Sequence, residues 1–174
     1  MNQVINQMSP AQTKQPSDKA ALNQNSQRFL GFTIGNSLNA LIPLADLQAT
    51  IEISLSDILP VPQMNESLLG IINYGGKATW VVDFAHLMGG TYYSQMPEVS
   101  TGMGMLFRVE NETVALLIDR VGTIETHDDR QCLPIGEAMF TDRVRLFLSG
   151  YFIDAQQQSR VVVDLHQVIK ALDS

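Results

Sequence analysis

The chain has 174 residues, of which 45% are hydrophobic and 17% charged, with a formal net charge of −7 and a single cysteine, Cys132. That length suits one domain, or two small units sharing a core, and buries enough apolar surface to fold without a cofactor. The acidic balance, with no local basic patch, argues against nucleic acid or an anionic membrane as partner; one cysteine excludes an intrachain disulfide and suits a reducing cytosol.

Residues 1–27 are rich in Asn and Gln and poor in aromatic residues. They cannot bury enough surface to offset the entropy of ordering and are expected to form a disordered tail ahead of one domain over 28–174. The start lacks the apolar core of a signal peptide, and no later apolar run is long enough to span a bilayer, so a cytoplasmic protein is expected. From Arg28 the texture changes to short apolar runs separated by turns: RFLGFTI, LNALIPL, TIEISL, GIINY, ATWVVDF, and, after the polar stretch TYYSQMPEVSTG, MLFRV, TVALLID, GTIET, RLFLSGYFI and RVVVDL. Strands at this spacing point to small barrels or a sandwich. A helical period is clear only at the end, where Asp164 can cap LHQVIKAL; single-turn helices are expected at ADLQA, NESLL and FAHLM.

The stretch GIINYGGKAT, Gly70 to Thr79, nearly reads as a phosphate-binding loop of the form GxxxxGK[ST]. Counted back from Gly76-Lys77, the first glycine falls on Ile71 and the hydroxyl residue on Ala78; counted from Gly70, the lysine falls on Gly76. Neither register fits, and Ile71, Ile72 and Tyr74 suit a strand better than a phosphate cradle. The expectation is a two-residue hairpin turn at Gly75-Gly76. Gly70, at the head of a strand, marks either a bulge or the close approach of another backbone or a partner helix.

Three strands end in an aspartate, WVVDF at Asp83, LLIDR at Asp119 and VVVDL at Asp164, which suggests two similar units built from hairpins. Strand-end carboxylates could serve acid–base or metal chemistry, but Asp83 and Asp164 are placed as helix caps. His127, Asp128, Asp129 and Cys132 are ligand types without the spacing of a closed zinc site, which favours a solvated loop and no metal. His86 and His166 lie on short amphipathic stretches facing solvent. No Ser-His-Asp or Cys-His pair sits in a glycine-braced setting, so no catalytic residues are assigned and no enzyme is expected.

Taken together, LLGIINYGGKATWVVDFAHLMGG, the preceding FTIGNSLNALIPLADLQATIEI, TVALLIDRVGTIE and FLSGYFIDAQQQSRVVVDLHQVIKAL resemble, in content and order, the CheW-like domains of chemotaxis adaptors. The resemblance spans residues 28 to 172. It implies a mainly β fold of two five-stranded SH3-like barrels packed on a shared core, with short helices and a C-terminal helix. It implies a non-enzymatic adaptor without cofactors. Such a domain couples the helical hairpin tip of a methyl-accepting chemoreceptor to a CheA-type histidine kinase, with a groove between the barrels for the receptor and one barrel face for the kinase. The positions that match the family's groove and turn are Leu47, Gly70, Asn73, Gly75, Gly76 and Gly150. The family's usual arginine in the turn is Gly75 here and its usual proline beyond is Trp80. That departure implies an altered partner surface, as in a system steering pilus-driven motility or phototaxis. A small ligand-binding β-barrel is the alternative; an enzyme using the strand-end aspartates stands third.

Overall fold

The computed structural model describes residues 25–35, 38–90, 98–109 and 112–172, with Val109 described by its backbone alone. The expected tail therefore lies outside the described residues up to position 24, as do parts of the turns after Gly35 and Val109 and of the polar stretch that begins at 91. Ten strands are described: β1 (Ser26–Ile34), β2 (Leu38–Pro43), β3 (Leu47–Ser54), β4 (Leu68–Tyr74), β5 (Lys77–Asp83), β6 (Thr101–Val109), β7 (Glu112–Ile118), β8 (Arg120–Asp128), β9 (Leu148–Ile153) and β10 (Ser159–Val163). Three short α-helices join them: α1 (Phe84–Leu87), α2 (Asp142–Arg145) and α3 (Leu165–Lys170). The first strand starts at Ser26, which pairs with Asp128, so ladder formation begins two residues inside the stretch read as tail.

The strands form two five-stranded sheets, ordered β8-β1-β2-β10-β9 and β3-β6-β7-β5-β4. Both follow one plan. An edge strand (β8 or β3) pairs antiparallel with a hairpin (β1-β2 or β6-β7). That hairpin joins a second one (β9-β10 or β4-β5) through a parallel seam, β2 with β10 in one sheet and β7 with β5 in the other. The ladders are open between their edge strands, and in each sheet the gap is spanned by a single bridge. From β3 the chain turns through a 3-10 helix, Leu55–Asp57, and Leu59 exchanges two backbone bonds with Ile71 of β4 (2.8 and 2.9 Å). From β8 it turns through Asp129–Gln131, and Leu133 does the same with Tyr151 of β9 (2.8 and 2.9 Å). The expected pair of SH3-like units is thus present, each left open between its edge strands except for one bridge made by its own chain.

Residue alternation explains why the strands read as unbroken apolar runs. In a strand, successive side chains point to opposite faces. In β7, Val114, Leu116 and Ile118 enter the core shared by the sheets, whereas Ala115 and Leu117 enter the interior of their own unit. In β10, Val161 and Val163 face the shared core and Val162 the other interior; in β2, Ala40 and Ile42 lie opposite to Leu41 in the same way. Strands buried on both faces need no polar alternation. The shared core is the largest, with Phe84 and Phe107 fully buried at its centre.

The repeated aspartates divide by role. Asp83 Oδ1 accepts the His86 N–H (3.0 Å) at the start of α1, and Asp164 Oδ1 accepts the Gln167 N–H (3.1 Å) at the start of α3. They end equivalent strands, β5 and β10, so this part of the sequence repeat is a structural one. Asp119 starts no helix; it lies between β7 and β8, where burial first and then the charge of Asp83 push its carboxyl above the usual range, against a hydrogen bond from the Gly35 backbone. Two helix expectations need correction. NESLL is not helical, because Asn65 Oδ1 accepts the Ser67 N–H (2.9 Å) and its carbonyl the Leu68 N–H, which folds the segment into a turn leading directly into β4. ADLQA is cut short: a 3-10 turn ends at Asp46 and Leu47 already pairs with Phe107. Asp164→Ala is expected to cost about 0.5 to 2 kcal/mol, the usual worth of an N-cap. Urea unfolding checks the loss, and partner binding of the folded variant should be unchanged.

Candidate functional site

The Gly75-Gly76 dipeptide closes the β4-β5 hairpin as a two-residue turn. Tyr74 pairs with Lys77, and both glycines have positive φ (57° and 79°), as a type I′ turn requires. Asn73 Oδ1 accepts the Gly76 N–H (2.9 Å), so the asparagine fixes the turn that follows it. Asn73, Tyr74 and both glycines are exposed. Nothing lies within 4 Å of where a Cβ at Gly75 or Gly76 would point, so the turn presents bare backbone to solvent. The phosphate-loop outline is thus a hairpin.

Gly70 and Gly150 are buried beneath their own chain. At Gly70, beside a bulge in the β4-β5 register, φ is +143° and an added Cβ would overlap the Leu59 carbonyl oxygen and stand 2.7 Å from its carbon. At Gly150 it would stand 2.5 Å from Cys132 Sγ and 2.8 Å from the Leu133 carbonyl oxygen. Both readings open for Gly70 hold: the register shifts beside it, and the approaching backbone is the segment that bridges the sheet edges. Leu47 is half-buried on edge strand β3, packed against the shared core. The six residues therefore do not converge: three share one exposed turn, two lie under crossing segments in different sheets, and Leu47 stands on the opposite edge of its sheet from β4.

Two concavities frame these positions. One is a groove of about 230 Å³ between the second sheet and α3, walled by Leu68, Trp80 and Val114 on one side and Ile169 and Leu172 on the other, with Met64 and Glu112 at its rim. Its apolar walls are where the shared core comes to the surface, since Leu68, Trp80, Ile169 and Leu172 all pack against that core. The other, of about 460 Å³, lies along the seam between β3 and β4; Ile51, Ile53, Ile72, Asn73 and Tyr74 line it, with Glu52 and Asp57 beside them. Sequence reading did not name the residues of this groove because its walls come from segments more than a hundred residues apart, from Leu68 to Leu172. Trp80, where the resemblance expects proline, was its one local signal.

Several of the residues weighed as ligands are engaged locally. Asp128 caps the 3-10 turn by accepting the Arg130 N–H and pairs with the Arg130 guanidinium, whose hydrogen bonds hold its carboxyl down to about 2. His127 stacks on Phe152 (4.4 Å between rings) and bonds Glu125 (2.9 Å). Burial pushes the Cys132 thiol up, away from the reactive thiolate. Among the described residues no three His, Cys, Asp or Glu side chains are grouped to hold a metal ion, and no helix is long and apolar enough to cross a membrane.

Comparison with known proteins supplies what geometry alone does not. No curated protein matches the chain in sequence. Among solved structures, it is similar to the crystal structure of the scaffolding protein TtCheW from Thermoanaerobacter tengcongensis, with a TM-score of 0.65 at 15% identity over 79% of this chain and 88% of that one. The likeness at that identity is one of fold. The model of the CheW-like domain matches residues 28–173, nearly all of the described structure, and the chain belongs to that family.

Proposed function

We propose that this protein is a scaffolding adaptor, not an enzyme, which couples the cytoplasmic hairpin tip of a methyl-accepting chemoreceptor to a CheA-type histidine kinase. The observation that carries the reading is the groove between the second sheet and α3. Its walls are apolar side chains and it is open at the rim, as the apolar face of an amphipathic helix requires. Family membership supports an adaptor role, and the solved neighbour is itself a scaffolding protein.

In this reading the groove takes the receptor, and the seam beside the β4-β5 turn, with Asn73, Gly75 and Gly76, contributes to the kinase face. Leu47 supports the same surface from β3. Gly70 and Gly150 act from beneath, by letting the crossing segments lie flat against β4 and β9. The bare turn, lacking the family's arginine, suits a partner set that has diverged from the flagellar type, as in pilus-driven motility or phototaxis. The test is a binding titration of the purified chain against the receptor tip and the kinase encoded beside its gene. Saturable binding to both, and a ternary complex, is expected; binding to neither overturns the proposal.

A further inference from the structure

The two units share one plan, so one shows how the other would look if this end of its interior were filled. Registering the sheets on their capping aspartates, Asp83 with Asp164, sets Val81 with Val162 and Thr79 with Arg160. The parallel seams then set Ala115 with Leu41, and the hairpin partners of these, Leu106 and Gly31, correspond. In the second unit Leu106 and Thr79 are fully buried and fill this end of the interior. In the first, glycine and arginine replace them, and the interior opens into a depression of about 440 Å³.

The backbone widens the same spot. The β1-β8 register shifts between Leu30 and Phe32, leaving Gly122 and Thr123 opposite Gly31. A Cβ at Gly31 would stand 3.1 Å from Arg160 Nη2 and 3.2 Å from the Thr123 carbonyl oxygen, and one at Gly122 would stand 3.0 Å from the Gly31 carbonyl oxygen. Two glycines facing each other at a bulge keep the depression free of side chains, and such bulges recur beside functional sites. Its polar lining is Arg120, Arg160, Asn39, Thr33 and Thr123. Arg160 pairs with Glu125 through Nη2 and lies 3.8 Å from Asp154 through Nη1, yet its Nε is buried without a hydrogen-bond partner among the described residues. A buried guanidinium donor left unpaired costs free energy that a ligand acceptor would recover.

We propose that this depression is a binding site for a small carboxylate-bearing molecule, whose carboxylate bridges Arg160 Nε and the exposed Arg120 guanidinium while Asn39, Thr33 and Thr123 bond its polar body. The charge balance selects the class. Glu125 and Asp154 together balance Arg160 and Arg120, so the site has no net positive charge with which to hold a polyphosphate, and a monoanion set between the two guanidiniums is the better fit. The volume lies within the range of small-molecule sites. The site is separate from the groove and the turn, and is independent of the adaptor reading; if both hold, the scaffold carries a ligand input of its own.

The test follows the backbone amides of the full chain by NMR while glycolate is added against sodium chloride at equal ionic strength. Saturable shifts at Gly31, Asn39, Gly122 and Thr123 are expected with glycolate and not with chloride. Arg120→Gln should weaken them about tenfold, the worth of one charge-assisted bond. Gly31→Leu, which supplies the residue found in the closed unit, should abolish them; because it crowds Arg160, the Arg120→Gln result decides if that variant fails to fold. Absence of saturable shifts, equal shifts in wild type and Arg120→Gln, or a stronger response to phosphate than to glycolate would each overturn the assignment.

Discussion

Gly70→Ala is expected to cost about 4 kcal/mol, a large share of the roughly 5–15 kcal/mol that holds a domain folded. Two penalties combine. Alanine at a φ of +143° is strained wherever it stands, and its methyl would overlap the carbonyl of Leu59. Relief requires lifting the crossing segment, which breaks both backbone bonds between Leu59 and Ile71 and opens the second sheet along its seam. Gly150→Ala provides the comparison. It meets the equivalent segment at Leu133, but with no left-handed φ, and part of its clash is with the Cys132 side chain, which can rotate away. A smaller loss, about 1–3 kcal/mol, is expected there. Urea unfolding of both variants measures the difference. A Gly70→Ala loss no larger than that of Gly150→Ala would show that the crossing segment lifts freely and that its bridge contributes little.

The same pair of glycines shows how much of the molecule its sequence discloses. The strands are legible because their patterning is local: VVVDL and ALLID name strands buried on both faces, and Gly75-Gly76 between Tyr74 and Lys77 names a hairpin. The duplication is legible too, through the strand-ending aspartates, although only Asp83 and Asp164 are equivalent and Asp119 is not. Gly70 announces a close approach without saying by what, since the answer is Leu59, the residue that bridges to Ile71 from outside the ladder. NESLL misleads because helix propensity competes there with an Asn side chain that accepts a nearby backbone N–H, and the turn wins. The groove is the least legible feature. Met64, Trp80, Val114 and Leu172 belong to four segments with no common pattern, and only sheet order and the return of α3 bring them to one place.

That groove yields the largest expected functional effect. Met64→Glu combined with Leu172→Glu should weaken binding of a receptor hairpin tip about 100-fold, since the Leu172 wall contact is lost and two charges must be desolvated against an apolar helix face. Met64 is 41% exposed at the rim, so its replacement should cost little; Leu172 is partly buried against the shared core, so its replacement should cost about 1 kcal/mol, and binding is compared at a temperature where circular dichroism shows the variant folded. Gly75→Arg is the complementary variant. Its side chain would enter open space, at a cost of about 1–2 kcal/mol for an L residue at positive φ, so the hairpin should persist. An arginine there restores forked, charge-assisted bonding that glycine cannot offer. It should therefore shift the protein toward kinases or receptors of the common flagellar type and away from its own partners, while leaving the groove intact. Titrating wild type and both variants against both partner sets separates the surfaces. If the groove variant keeps full receptor affinity, the helix docks elsewhere; if Gly75→Arg changes no pairing, the turn only reverses the chain and partner choice is written along the seam between β3 and β4.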